Sequence, residues 1–323
     1  MRKSKSAKVK ARTRRWRLNL PVFIAALVAF VGVTMYLYPE AASWVNQLNQ
    51  SQATDNYAQE NLAADPPGAE QIALAKRYNK ALNMGVLLGS HERIPESTGT
   101  LNSDLDYWKM LRVTDDAPMA RLRIEAIDVD LPVYHGTSDE TLLRGAGHLE
   151  GSSLPVGGPG THTVVTAHRG LAEATMFNNL PDLEVGDRFS FEVFNEVYVY
   201  EVFSKRTVEP EDTDSLRPEG DRDLATLVTC SPLGVNTHRM LVTGERVFPT
   251  PQEDIAKVGE PSELPRFPWW AVLYVLAIIL LGLMVWRLGY PAKKSKKTLP
   301  SRASANPGSD RPGGPAPPAR RAE

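Results

Sequence analysis

The sequence predicts a mainly β domain between two transmembrane helices: a closed or nearly closed barrel of seven or eight short strands with few helices. Three observations carry that expectation. Two uncharged apolar runs, Leu20 to Tyr38 and Trp269 to Trp286, are 19 and 18 residues long. Each suffices to cross a hydrocarbon core of roughly 30 Å as a helix. From Ala120 to Val247, apolar and polar residues alternate in short segments separated by turn residues, as half-buried strands do. Helical spacing is confined to brief stretches, so the strands have mainly one another to close against, and a barrel buries one face of each.

Charge is distributed unevenly along the chain. Over 323 residues the net charge is −1 and 42% of residues are hydrophobic, which is ordinary for a globular protein. Residues 1–17 nevertheless carry nine Lys or Arg and no acid, and residues 287–323 carry nine more against Asp310 and Glu323. Residues 40–266 hold 19 basic and 36 acidic residues. An acidic folded part argues against nucleic acid as a partner, since phosphate binding needs a basic surface. The basic ends adjoin the apolar runs, and Trp16, Tyr36, Tyr38, Trp269, Trp270, Trp286 and Tyr290 sit at the ends of those runs, where amphipathic rings favour the lipid–water boundary. The positive-inside rule puts both termini in the cytoplasm and the acidic middle on the extracellular face of the plasma membrane. The first run is longer than the roughly 7–15 residues of a cleaved signal peptide, although Ala41-Ala42-Ser43 offers a cleavage site.

Between the runs the elements follow in order. Residues 40–67 are polar and rich in Ala, Asn and Gln, a juxtamembrane spacer. Ile72, Ala75, Tyr78 and Leu82 recur near helical spacing and predict an amphipathic helix over 69–82. The stretch 83–103 has no period and reads as a loop, and 104–111 as a short helix. Strands are predicted over 120–127 and 129–136 with a turn near Asp128, and a helical turn over 141–144. A Gly/Pro/Ser loop covers 145–160 and a strand 161–167 ends at His168. A short helix is expected over 175–183. Strands at 187–194 and 197–208 flank a turn at Asn195-Glu196, and the last two strands are 224–229 and 240–247. After residue 290 the composition is Pro, Gly, Ser, Arg and Ala, which cannot bury a core.

Several chemistries are disfavoured. There is no Gly-rich phosphate loop, no HExxH and no cysteine pair for zinc. The acidic cluster Glu209, Glu211, Asp212 and Asp214 lacks the regular oxygen spacing of a calcium loop and reads as a solvated loop. Neither cofactor nor metal is expected.

Cys230 is the only cysteine, so no internal disulfide is available. It follows the β-forming run Leu227-Val228-Thr229 and precedes a Ser-Pro-Leu-Gly turn, and Arg239 comes nine residues later at the start of the next strand. A thiol attacks a carbonyl as the thiolate, which requires a neighbouring base or cation. Six histidines are candidates for the base: His91, His135, His148, His162, His168 and His238. His168 stands out because it too ends a β-rich strand and precedes an Arg-Gly turn. If the two strands are neighbours, both side chains meet at one rim of the barrel. Arg239 can face the same rim, stay cationic at any relevant pH and stabilise an oxyanion. Taken by itself, each residue has an ordinary alternative: a small buried hydrophobe, a structural histidine, a surface arginine.

TLVTC at 226–230 followed by Arg239 resembles the TLxTC…R signature of sortases. The likeness extends to LPVYHGT at 131–137, GAGHLEGSSLPVGG at 145–158, VVTAHRGL at 164–171 and TLVTCSPLGVNTHRMLV at 226–242, which together look like class C, pilus-building sortases of Gram-positive bacteria. The resemblance covers about 70–248 and implies the closed eight-stranded sortase-type β-barrel with a few short helices. It implies Cys230 as nucleophile on the Thr–Gly carbonyl of an LPxTG-type sorting signal, His168 as acid and base, and Arg239 as the group that binds the substrate near the scissile carbonyl. The implied partners are LPxTG-bearing pilin subunits and surface proteins, with a pilin lysine resolving the thioester. Two other readings stay open: a housekeeping-type sortase that anchors proteins to cell-wall precursor, and a non-catalytic factor that only binds sorting signals. The chain departs from the class at one point. The Asp-Pro-aromatic lid motif of many pilus sortases is missing from 83–105, where the nearest match is Asp106-Tyr107-Trp108. A shorter, differently anchored or absent lid is expected. The organisation that results is a basic N-terminus (1–19), a transmembrane helix (20–38), a spacer (39–67), a helical and lid region (68–119), the catalytic barrel (120–248), a linker (249–267), a second transmembrane helix (268–288) and a basic tail (289–323).

Overall fold

The computed structural model of the chain describes residues 15–61, 67–82, 86–88, 95–97, 106–114 and 116–290. The first helix, α1, runs from Leu20 to Glu60 with Pro39 in its interior. It therefore continues well past the apolar run, and most of the stretch expected as a spacer is helical. Two successive halves of the helix explain the extension. The apolar half packs along the second apolar helix, with Phe30 and Thr34 against Tyr274, whereas the polar half lies along the barrel through Ser43, Gln47, Gln50, Thr54 and Tyr57, spaced at i, i+4, i+7, i+11 and i+14. Gln50, Thr54 and Tyr57 are buried. The Tyr57 hydroxyl donates to the Met119 carbonyl at 3.1 Å and accepts from the Phe194 amide at 3.2 Å.

Helix α2, Gly68–Ala81, buries Ile72, Ala75 and Tyr78 as its spacing predicts. Strands β1 (Val86–Leu88) and β2 (Pro95–Ser97) pair antiparallel within the stretch expected as a loop. The remainder of 83–105, on which the lid expectation rests, lies outside the described residues. Asp106 caps a short 3-10 helix at Tyr107–Lys109 by accepting from the Trp108 amide.

Eight strands then form the barrel: β3 Ala120–Ile124, β4 Val129–His135, β5 Ala146–His148, β6 Thr161–Thr166, β7 Arg188–Val193, β8 Glu196–Val208, β9 Asp223–Ser231 and β10 His238–Arg246. Their order is β10-β8-β7-β3-β4-β5-β6-β9, closing from β9 back to β10. The expected closed eight-stranded architecture is observed. Strand β5 falls inside the Gly/Pro/Ser stretch expected to be a loop. It is three residues long, pairing parallel with β4 and antiparallel with β6. The helix expected over 175–183 is reduced to a 3-10 turn at Leu180–Asp182. The hairpin between β7 and β8 turns through Phe194 and Asn195, both at positive φ, one residue earlier than expected. Two left-handed residues match the right-handed twist of the flanking strands. Short helices at Asp139–Arg144 (α3) and Gln252–Ala256 (α4) complete the domain.

The barrel is filled by alternate residues of its strands, among them Leu122, Ile124, Val133, Val165, Phe191, Leu227 and Val242. Arg121 is buried against β4, where its guanidinium makes two 2.7 Å bonds to Asp130. It also donates to the Glu260 carbonyl at 2.6 Å, and Ser262 bonds the same Asp130. This network ties the segment leading to the second apolar helix to the barrel wall. That helix, α5, spans Trp269–Leu288, and α1 and α5 are both long and apolar enough to cross a membrane. They pair antiparallel: Trp44 meets Trp270 at one end, and Trp16 Nε1 donates to the Trp286 carbonyl at the other. Arg17 and Gly289 therefore lie together at the same end of the helix pair, joined by a 3.0 Å backbone hydrogen bond.

His148 and His135 help shape the response of the fold to acid, as does His162, which burial also pushes down. His148 is fully buried, with Nδ1 3.0 Å from the Tyr107 hydroxyl and Nε2 2.9 Å from the Ser153 carbonyl. His135 Nε2 lies 2.8 Å from the Met110 carbonyl. Burial pushes the His148 and His135 imidazoles down to about 4, against about 6.5 in an unfolded chain. Between those values the unfolded state binds more protons, so stability falls as pH drops. We expect these imidazoles to lower the melting temperature as pH falls from about 6.5 towards about 4. Thermal melts of the parent and His148→Gln check this. The variant is expected to lose part of the slope, and equal slopes would refute the assignment.

Candidate active site

Three adjacent strands position the residues singled out in the sequence. Strand β6 pairs parallel with β9 in a register that sets Thr166 opposite Val228. The pairing continues past the strand end, where the Ala167 amide donates to the Val228 carbonyl at 3.2 Å and the Thr229 hydroxyl to the Ala167 carbonyl at 2.9 Å. Extending this register by two positions puts His168 beside Cys230. On the other side, β10 pairs antiparallel with β9 and sets Arg239 opposite Cys230. The order His168, Cys230, Arg239 thus crosses three neighbouring strands, whose spacing is roughly 4.8 Å.

The period of two along each strand decides which way the three side chains face. Val165, Leu227 and Val242 belong to the barrel interior. Val164 and Leu241, with Val228 against them, belong to a separate cluster covered by Leu149 and Leu216. His168, Cys230 and Arg239 are in phase with Val164, Val228 and Leu241, so they project from the outer wall of the barrel beside this small apolar patch. All three are half-buried, which leaves each accessible to a substrate laid across the wall.

Two loops frame the trio. The loop after His168 folds back on itself: the Phe177 amide donates to the His168 carbonyl at 3.0 Å, and the Gly170 amide to Asn178 Oδ1 at 2.6 Å. Gly170 has φ +84°, and a Cβ there would come 2.6 Å from Leu233 Cδ1. Glycine is therefore needed for its conformation, while the exposed Leu233 side chain of the β9–β10 loop can turn aside. That loop also aims Arg239, whose Nη1 donates to the Asn236 carbonyl at 3.2 Å and the His238 carbonyl at 3.1 Å. A guanidinium has five N–H donors, so the planar group is oriented with capacity left for a substrate carbonyl.

The competing histidines are engaged elsewhere. His148 is buried and His135 half-buried beside Tyr107, and His162 bridges the Arg217 carbonyl and the Thr226 hydroxyl. His238 lies 3.4 Å from Glu209, and His91 lies outside the described residues. Within the acidic cluster, Asp214 pairs with Arg217. Sequence reasoning did not find Thr229, Phe177 and Asn178, which shape the backbone around His168. Their contacts join positions distant in the chain or in an irregular loop, where no periodicity marks them.

A family model described as the sortase domain matches residues 122–247, which include all three residues. Among solved structures, sortase C-1 from Actinomyces oris is 46% identical, with a TM-score of 0.50 over 56% of this chain and 98% of that one. The chain belongs to the sortase family. Sortase C1 from Streptococcus agalactiae is 38% identical, with a TM-score of 0.54 over 61% of this chain and 97% of its own. Sortase A from Corynebacterium diphtheriae is 39% identical, with a TM-score of 0.53 over 62% and 94%. Sortase D from Bacillus subtilis is 28% identical over 157 residues, 47% of this chain and 76% of that protein. The protein is thus a sortase-type transpeptidase, and its solved relatives include class C enzymes.

Proposed function

We propose that this sortase is a membrane-anchored cysteine transpeptidase that cleaves an LPxTG-type sorting signal between Thr and Gly and joins the acyl fragment to a pilin lysine. The observation that carries this reading is the register of β6, β9 and β10, which sets Arg239 opposite Cys230 and, extended two residues past Thr166, brings His168 to the other side of the thiol. In the proposed cycle the Cys230 thiolate attacks the threonine carbonyl carbon and the oxyanion forms near the Arg239 guanidinium. Collapse breaks the C–N bond. The protonated His168 imidazole gives its proton to the departing glycine amine, leaving a thioester on Cys230 and a neutral imidazole. A lysine amine then attacks the thioester, His168 takes its proton, and the thiolate departs with an isopeptide bond formed. One amide is exchanged for another, so no external energy source is required.

The pilin acceptor is supported by the class C-like motifs at 131–137, 145–158, 164–171 and 226–242 and by the second apolar helix, α5. The antiparallel α1–α5 pair, flanked in the sequence by basic stretches at 1–17 and 287–323, supports a topology with cytoplasmic termini and an extracellular barrel. Mass spectrometry of products made by the full chain tests the acceptor. Incubation with an LPxTG-type peptide, a lysine-bearing pilin domain and a cell-wall precursor amine is expected to give a lysine isopeptide. Exclusive linkage to the precursor amine would replace this reading with the cell-wall-anchoring one.

A further inference from the structure

We infer that the polar half of α1 is a strut that positions the His168 loop relative to the membrane, and that Ser43, Gln47 and Gln50 are positioning residues for the transpeptidation. The inference rests on the proposed role of His168 and adds to it residues that no part of the sortase signature contains.

The contacts form an unbroken line from the apolar helix to the histidine. At the end of the apolar run, the Tyr38 hydroxyl donates to Glu173 Oε1 at 2.8 Å. One turn further, Ser43 Oγ and Thr175 Oγ1 are 2.8 Å apart, and Gln47 Nε2 reaches the same hydroxyl at 3.4 Å. Gln50 is buried and its Nε2 contacts Met176 Sδ at 3.2 Å, oriented by a 2.6 Å bond to Asn46. Met176 is buried at positive φ, and the next residue, Phe177, donates its amide to the His168 carbonyl. Four α1 residues thus grip Glu173, Thr175 and Met176, and that loop grips the backbone of His168.

A neighbouring flank of the helix, about a quarter-turn round, is held as well. Ser51 Oγ donates to the Leu264 carbonyl at 2.6 Å, Asp55 accepts from the Ser262 amide at 3.0 Å, and Trp44 Nε1 donates to the Arg266 carbonyl at 2.9 Å. Below these, Tyr57 is locked between Met119 and Phe194. The strut therefore lies wedged between the His168 loop and the segment leading to α5, along a stretch of about 20 Å from Ser43 to Tyr57. Its grip on the loop is made of hydrogen bonds from polar side chains, and these are removable without opening the barrel core. A displacement of about 1 Å in a proton-transfer group is enough to cost on the order of 10²-fold in rate.

The test uses the full chain in lipid nanodiscs and a combined Ser43→Ala/Gln47→Ala/Gln50→Ala variant, which leaves Thr54 and Tyr57 in place. The expected result is faster hydrogen exchange at the Phe177 amide and at least about a tenfold fall in kcat, with KM for an LPxTG-type peptide and the melting temperature unchanged. Ser43→Thr, which keeps the hydroxyl, is expected to retain the parent values. Parental Phe177 exchange in the triple variant would overturn the inference, as would a fall in kcat accompanied by a general loss of thermal stability. The exchange measurement needs no substrate. If the parent fails to acylate on the peptide, the proposed function falls, while Phe177 protection still decides whether the strut holds the loop.

Discussion

Cys230→Ala is expected to abolish cleavage of an LPxTG-type peptide, a loss of roughly 10⁴-fold or more, while the protein stays folded. The size of the effect follows from covalent catalysis. Without the thiol there is no acyl carrier, and neither His168 nor Arg239 has a bond-forming role. The fold is expected to survive because Cys230 is half-buried on the outer wall of β9, outside the barrel interior filled by Ala225 and Leu227. Thr229, next to it, supplies the buried bond to Ala167 and is untouched. Peptide cleavage followed by chromatography, with a thermal melt beside it, checks both parts. An Ala variant that cleaves at the parent rate would remove Cys230 from the chemistry.

His168→Ala is expected to lower kcat by about 10²–10⁴-fold, the range associated with a positioned general acid or base. Arg239→Ala is expected to follow with about 10²–10³-fold, the worth of one oxyanion donor. Both changes lie at strand ends. His168 is fixed through its carbonyl and the loop around it, which Ala retains, and Arg239 bonds only nearby carbonyls of its own turn among its described contacts. Steady-state kinetics with the same peptide separates the two roles. Loss of His168 is expected to slow both acylation and transfer to the amine, because the imidazole moves a proton in each step. A variant of either residue with parental kcat would exclude that residue from the mechanism.

Much of this arrangement was legible in the chain itself. Alternation marks β3, β4, β6, β7, β8, β9 and β10, because each has one face in the core and a period of two results. The thiol, the cation nine residues on and a histidine at a strand end were enough to nominate the trio. Adjacency was harder. That β6 lies beside β9 is a pairing between distant segments, and periodicity carries no information about which strands are neighbours. Strand β5 was invisible because three residues, Ala146-Gly147-His148, cannot show a period and sit within a Gly/Pro-rich run. The extension of α1 was hidden for a different reason. Its buried face is built from Ser, Gln, Thr and Tyr that hydrogen-bond to loops, so it lacks the apolar stripe by which a packed helix is recognised. The expectation about the lid falls on 83–105, where the backbone pairing of β1 with β2 is described and the rest lies outside the described residues.

The central claim is that the acyl group of the sorting signal passes through Cys230. Intact-mass measurement of the full chain after brief mixing with an LPxTG-type peptide, in the absence of an amine acceptor, tests it most directly. The account predicts a mass increase equal to the peptide up to its threonine, mapped by proteolysis to the segment containing Cys230 and discharged by a lysine-bearing peptide. Peptide cleavage with no such adduct, or an adduct on any other residue, would contradict it.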